Sequence, residues 1–225
     1  MNATLVSPHD EVMRRLHHQS PFADFDASSH AEDLRGWHGA HPIFGELVAA
    51  VRPELTIEVG TWKGQSAVTL GTAIQALGPG RALVCVDTWL GALEFRRDFA
   101  DAERYAALDL RHGYPQVYYQ FLANVVKRGL EDVIVPFPQT SLIAARWFLQ
   151  QGIQAELIYV DGSHEENDVY FDLVYYWQIC RPGGVVFGDD LDWAGVQTAV
   201  TRFAAEQGLE LRMRDGIYWL LVKPL

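Results

Sequence analysis

Cysteine is almost missing from this chain: two residues in 225, Cys85 and Cys180, each inside an apolar segment. That argues against a disulfide-built fold and for buried thiols in a reducing compartment. Positive charge is short as well. Lys and Arg number 18 against 29 Asp and Glu, a net charge of −11, which argues against non-specific binding to nucleic acid or to anionic membranes. No apolar run approaches the roughly 20 residues needed to span a bilayer. Met1 to Gln19 is rich in His, Asp, Glu and Arg and holds no apolar stretch of signal-peptide length. The expectation is a cytoplasmic protein that handles small molecules, with neither nucleic acid nor membrane as a partner. Core-forming residues, by contrast, are plentiful: 49% of the chain is hydrophobic and 21% charged, enough for one large domain.

Residues 1–41 differ from the rest. They carry His9, His17, His18, His30, His38 and His41, six of the 8 histidines, with little periodicity. They predict an N-terminal arm with one or two short helices. No histidine pair has the spacing and support of metal ligands, so surface scatter is expected. From Pro42 the pattern becomes regular. Thr56–Val59, Ala82–Val86, Val133–Val135, Leu157–Val160 and Val185–Phe187 predict strands. Pro42–Val51, Ser66–Leu77, Gln116–Lys127, Leu142–Gln150, Asp168–Cys180 and Val196–Glu206 predict helices. Such alternation means βαβ units, hence a three-layer α/β domain with a mostly parallel sheet over 42–225. Leu209–Arg212 and Ile217–Val222, joined by a turn at Asp215-Gly216, predict a C-terminal antiparallel hairpin.

Residues 88–113 break the rhythm and predict a lid or substrate insertion, a helical decoration packed on the surface being the other reading. Phe95, Phe99, Tyr105 and Tyr114 offer apolar surface there, and Glu94, Arg96, Arg97, Asp98 and Arg104 polar contacts. Trp147, Trp177, Trp193 and Trp219 read as core or interface residues. With the arm, they make a homo-oligomer compatible with the sequence.

In open α/β sheets, ligands bind beyond the carboxyl ends of the strands, where strand order reverses. The first such end is Glu58-Val59-Gly60-Thr61-Trp62-Lys63-Gly64-Gln65-Ser66. Its two glycines let the backbone pass close to a ligand at the start of a helix. Trp62 and Gln65 stand where a dinucleotide fingerprint needs glycine, and no Gly-Lys-Ser/Thr follows, which counts against an NAD-dependent oxidoreductase or a phosphate loop. With Asp87 after the second strand to take ribose hydroxyls, the loop suits a nucleoside without pyrophosphate. A plain strand-to-helix turn is the other reading of the two glycines.

Asp161, Asp189 and Asp190 follow the fourth and fifth strands and would meet if those strands are neighbours. Three oxygen ligands without a nearby cysteine suit Mg²⁺, Mn²⁺ or Ca²⁺. Helix capping and solvation are the alternative. His164, three residues after Asp161, could take a proton near neutral pH or simply start a helix.

Glu-Val-Gly-Thr-Trp-Lys-Gly followed by Val-Asp-Thr-Trp resembles the cofactor motifs of class I S-adenosylmethionine-dependent methyltransferases. Asp161-Gly162-Ser163-His164, Asp172-Leu173, Arg181-Pro182-Gly183-Gly184 and Gly188-Asp189-Asp190 narrow the likeness. They resemble the branch of macrolide-sugar O-methyltransferases and cephalosporin-pathway methyltransferase-like proteins. The resemblance spans about residues 42–222. It implies a Rossmann-like, seven-stranded fold with Glu58, Gly60, Thr61, Gly64 and Ser66 around the methionine part of S-adenosylmethionine. Asp87 would hold the ribose, and Thr88, Trp89 and Ser141 would flank the adenine. Where the family carries a Gly shortly before that Ser, this chain has Pro138-Gln139-Thr140. A divalent metal on Asp161, Asp189 and Asp190 is implied too, with His164 or Asp161 as the base toward a hydroxyl of a sugar or natural-product intermediate. The rival expectation is a non-catalytic nucleotide-binding or assembly protein that keeps the fold.

Overall fold

The computed structural model describes residues 6–96 and 102–225. Strands β1 (Leu55–Val59), β2 (Ala82–Asp87), β3 (Ile134–Pro138), β4 (Ala155–Val160), β5 (Cys180–Gly188), β6 (Arg212–Arg214) and β7 (Tyr218–Val222) form one sheet. Its order is β3-β2-β1-β4-β5-β7-β6. The first five strands pair in parallel, and β7 is antiparallel to both β5 and β6. The three-layer, seven-stranded fold with its terminal hairpin is therefore as expected.

Strand alternation sorts the side chains. Ile57, Val59, Val84, Val86, Ile158 and Val160 meet α1 (Pro8–Leu16), α6 (Ser141–Gln151), α7 (Glu166–Ile179) and α8 (Ala194–Gln207) on one face. Leu83, Cys85, Leu157 and Tyr159 meet α2 (Ile43–Val51), α3 (Gln65–Gln75) and α5 (Val117–Lys127) on the other. Each Val, Leu or Phe buried this way contributes about 1.5–3 kcal/mol, which is why the strands read as continuous apolar runs. The chain starts at the centre with β1, moves outward to β3, then returns to β4 on β1's other side. That reversal puts the hollow of the sheet beyond the carboxyl ends of β1 and β4.

Strand β3 and the first strand of the hairpin differ from expectation, each for a packing reason. β3 runs on through Pro136 and Pro138 because it is the sheet's edge, where a missing amide donor breaks no ladder. The first hairpin strand is shifted to Arg212–Arg214, since Leu209 and Leu211 turn inward to pack on the core after α8 ends at Gly208. The hairpin turns where expected, with Asp215 and Gly216 at φ 55° and 74°. In the insertion, Leu93–Phe95 forms a single tight turn and α4 covers Ala102–Ala106. Arg97, Asp98 and Phe99 lie outside the described residues.

The arm is docked rather than trailing. Ser7 caps α1 by accepting from the Asp10 amide, and Val12 is buried in the core. The expected surface scatter of its histidines is corrected. His9 Nε2 lies 3.1 Å from the Glu131 carbonyl and His17 Nε2 2.7 Å from that of Pro136. Further on, the buried Asn124 donates to the carbonyls of Asp33 (2.7 Å) and Lys63 (2.8 Å), tying the arm to α5 and to the loop after β1. Among the described residues, no helix is long and apolar enough to cross a membrane.

Gly188, at the end of β5, tests the closeness of this packing. A Cβ there would lie 2.4 Å from both the Val160 carbonyl oxygen and Trp219 Cζ2. Gly188→Ala should cost about 1–3 kcal/mol by overpacking, seen as a lower denaturation midpoint at unchanged m-value. An unchanged midpoint would show that the strand ends are looser than described.

Candidate active site

The carboxyl ends of β1, β2, β4 and β5 open into one cavity of about 420 Å³. After β1 the chain turns at Gly60 (φ 82°) and Gly64 (φ 87°) into α3. Gly60 is obligatory, because a Cβ would come within 2.0 Å of the Asp161 carbonyl oxygen. Asp87 clamps this loop: its Oδ2 accepts from the Thr61 and Trp62 amides at 2.8 Å each, and its Oδ1 from the Trp89 amide at 2.7 Å. A carboxylate has about four lone-pair directions, so acceptor capacity is left toward the cavity it lines. Thr61, whose Oγ1 is buried without a hydrogen-bond partner, is also a residue of this wall. Such an atom calls for a polar group from a ligand.

The second half of the cavity is acidic. Strand register places Val160 beside Gly188, so Asp161 and Asp189 leave adjacent strands side by side. Asp190 follows with a left-handed backbone, φ 54°. Tyr159 donates to Asp161 Oδ2 at 3.1 Å, and Trp219 Nε1 donates to the Asp189 carbonyl at 3.1 Å. Burial and the neighbouring charges of Asp189 and Asp190 push Asp161 well above the usual carboxylate range. Burial, then Asp190, pushes Asp189 up to about 7. Asp189 Oδ1 is buried with no partner. Asp190 belongs to two groupings whose donor atoms lie within 4.8 Å of one another, one with Asp161 and His164 and one with Asp189 and His38, and carboxylate oxygens of this kind are donors a hard divalent cation can use.

His164 closes one side. Its Nε2 lies 2.8 Å from Asp190 Oδ2 and its Nδ1 3.1 Å from Glu94 Oε1. Burial by itself would depress this imidazole, but the two carboxylates outweigh it and raise the value to about 9. Trp193 stacks on the ring at 4.2 Å. Asp172, on α7 at the cavity wall, is pushed up to about 7 by burial.

Of the residues expected at the site, Gly60, Thr61, Ser66, Asp87, Thr88, Ser141, Asp161, His164, Asp189 and Asp190 line the cavity. Glu58, Gly64 and Trp89 are not among its lining residues. Glu58 is fully buried beneath the loop, accepting from the Ser66 hydroxyl and from Cys85 Sγ at 3.4 Å. Gly64 starts α3 against Phe121, where a Cβ would meet the ring at 2.8 Å. Trp89 turns into the core beside Tyr118 and Phe121, its indole donating to the Trp62 carbonyl at 2.8 Å. Of the insertion, Glu94, Phe95 and Arg104 reach the cavity, whereas the exposed Tyr105 and Tyr114 do not. Sequence reasoning did not assign Trp37, His38, Gln139, Phe171 or Trp193 to the site, yet all line it. Phe171 was accessible in principle, because Asp168, Phe171 and Asp172 share a helix face by i, i+3, i+4 spacing.

Comparison with known proteins agrees with this geometry. Residues 57–191 match the methyltransferase domain family, and the chain, more than half of it covered, belongs to that family. The fold is shared with an O-methyltransferase from Bacillus cereus solved in complex with SAH, at 14% identity and TM-score 0.55, covering 98% of this chain and 94% of that one. It is shared also with the O-methyltransferase TomG from Streptomyces achromogenes, involved in tomaymycin synthesis and solved with SAM, at 17% identity and TM-score 0.58 over 98% and 93%. The O-methyltransferase NovP is similar at 18% identity and TM-score 0.60 over 88% and 84%. At such identities the likeness is one of fold. No curated protein matches the chain.

The buried acid under the loop gives a test of the site's electrostatics. Burial raises Glu58 from its ordinary 4.5 to about 8. The stability that its protonated form contributes is full below about pH 4.5 and is lost as pH rises through about 8. Glu58→Gln removes this titration. The variant should therefore lose less unfolding free energy than the parent between pH 5 and 9, measured by urea denaturation. Parallel pH profiles would show that Glu58 is ionised in the folded state.

Proposed function

We propose that this methyltransferase is S-adenosylmethionine-dependent and acts on a hydroxyl group of a small molecule, a sugar or other natural-product intermediate, with a divalent cation held by Asp161, Asp189 and Asp190. The observation that carries this reading is the single cavity in which a nucleoside-type loop and a buried acidic cluster share one hollow. Gly60, Thr61, Ser66 and Asp87 line one part, fitted to the amino-acid and ribose portions of the donor. Thr88, Gln139 and Ser141 supply the wall for its adenine. O-methyltransferases of the same fold were solved with SAM or SAH.

A bound divalent cation would lower the pKa of the acceptor hydroxyl and hold its oxygen near the donor's methyl group. The aspartates orient the acceptor, and Trp193 and Phe171 offer it apolar surface in the same cavity. His164 would accept the hydroxyl proton, its ring held by Asp190 at 2.8 Å from Nε2 and by the stacked Trp193. To act as a base, the imidazole must shed its own proton, so it needs relief from one of its two carboxylates. Asp190 doubles as a cation ligand, and the two assignments therefore support each other. Asp161 is the less suitable base, with the Tyr159 hydroxyl already donating to it.

Calorimetry with S-adenosylhomocysteine checks the donor half: binding is expected, and no heat at millimolar ligand would reject it. His164→Ala should lower methyl transfer by about 10²–10⁴-fold while S-adenosylhomocysteine still binds. An active variant would remove His164 from the chemistry. Asp189→Asn should abolish turnover and its response to added metal. Full activity in chelator would reduce the aspartates to a structural role.

A further inference from the structure

His38 has no role in the reading above, yet its position is fixed from several sides. Its backbone is left-handed (φ 57°), and its carbonyl accepts from the Tyr218 hydroxyl at 2.7 Å. The following Gly39 sits so close to α3 that a Cβ would be 2.6 Å from the Ser66 amide nitrogen. Histidine is among the residues that adopt this conformation, and here the Tyr218 bond and the close Gly39 contact hold it. The result is an imidazole from the arm facing the ends of β5. Its Nδ1 is 3.6 Å from Asp189 Oδ2 and 3.8 Å from Asp190 Oδ1.

Both separations are too long for an N–H···O hydrogen bond, which spans about 2.7–3.2 Å. They suit ligands around a common ion. With metal–ligand bonds of about 2.1–2.2 Å, adjacent ligand atoms lie about 3.0 Å apart and opposite ones about 4.3 Å. One atom each of His38, Asp189 and Asp190 falls within 4.8 Å of the other two. Independently, Asp189 is only 3% exposed and its Oδ1 lacks any partner.

We propose that His38 is a further protein ligand of the cation, so that the N-terminal arm completes the site and biases it toward Mn²⁺ or a similar first-row transition ion over Mg²⁺ and Ca²⁺. Imidazole suits transition ions, whereas carboxylate and water alone suit the alkaline-earth ions. The inference rests on the cation reading of Asp161, Asp189 and Asp190. It adds that the ion fastens residues 36–39 of the arm, including the cavity-lining Trp37, to the end of the sheet.

The test uses the full-length protein and Mn²⁺ alone, with binding followed by loss of the free-ion EPR signal. Nitrogen coordination is then read from ¹⁴N modulation of the bound ion's spin echo. His38→Asn is the variant of choice, since asparagine tolerates a left-handed backbone and replaces the nitrogen donor with an amide oxygen. The expected result is ¹⁴N modulation that persists in His164→Ala and disappears in His38→Asn. Mn²⁺ affinity should drop at least about tenfold in His38→Asn, and Mg²⁺ affinity much less. A competition titration should likewise show the parent preferring Mn²⁺ over Mg²⁺, and His38→Asn losing that preference. Bound Mn²⁺ without ¹⁴N modulation, or with modulation that survives in His38→Asn, overturns the role of His38 and leaves the aspartate site standing. Mn²⁺ that fails to bind, or binds equally well in Asp189→Asn, overturns both.

Discussion

Two neighbouring parallel strands end in aspartate at the same level. Val160 of β4 is in register with Gly188 of β5, so backbone pairing alone forces Asp161 and Asp189 together, and the left-handed turn at Asp190 adds a third carboxylate. Oxygens of Asp161 and Asp190 lie within 4.8 Å, where two unit charges would repel by about 3–4 kcal/mol at an effective dielectric near 20, and this crowding adds to burial in pushing Asp161 well above the usual carboxylate range. An ordinary exposed ion pair returns at most about 1 kcal/mol, so surface-type pairing cannot offset the crowding. The groups around the cluster respond to it. The imidazole of His164 bridges Asp190 and Glu94, Tyr159 donates to Asp161, and His38 faces Asp189 and Asp190. A divalent cation would discharge the remainder.

The half of the cavity proposed for the donor obeys a different constraint. Here the backbone has to pass close to whatever binds, and Gly60 is pressed against the Asp161 carbonyl. Asp87 ties the loop down by accepting hydrogen bonds from the Thr61 and Trp62 amides. The loop is thus formed before any ligand arrives, which limits the ordering cost of binding. Because Gly60 and Asp161 touch, donor loop and acidic cluster are parts of one rigid junction at the switch point of the sheet.

Much of this was legible in the sequence because it is local. A strand followed by aspartate needs only the strand's apolar run to be seen, and β4 and β5 were seen that way. The methyltransferase motifs were legible for the same reason. Glu58 is instructive: it lies one residue before the end of β1, on the face packed by α2, α3 and α5, so strand alternation already points it into the core rather than to the rim. Trp89 was expected beside the adenine because the resemblance to the methyltransferase motifs implies it, but its left-handed backbone (φ 52°) swings the indole inward. Trp37 and His38 could not be read, since nothing in residues 1–41 records that Asn124 and Tyr218 will hold that segment over β5. That pairing joins residues 180 positions apart.

The central claim, a cation at the meeting point of β4 and β5 beside a nucleoside donor, is tested most directly by a crystal grown with S-adenosylhomocysteine and Mn²⁺ and measured at the manganese absorption edge. The account predicts one anomalous peak at about 2.1–2.3 Å from carboxylate oxygens of Asp161, Asp189 and Asp190, with the homocysteine product against Gly60 and Asp87. Density for the product elsewhere, or three aspartates with no peak between them, would contradict it.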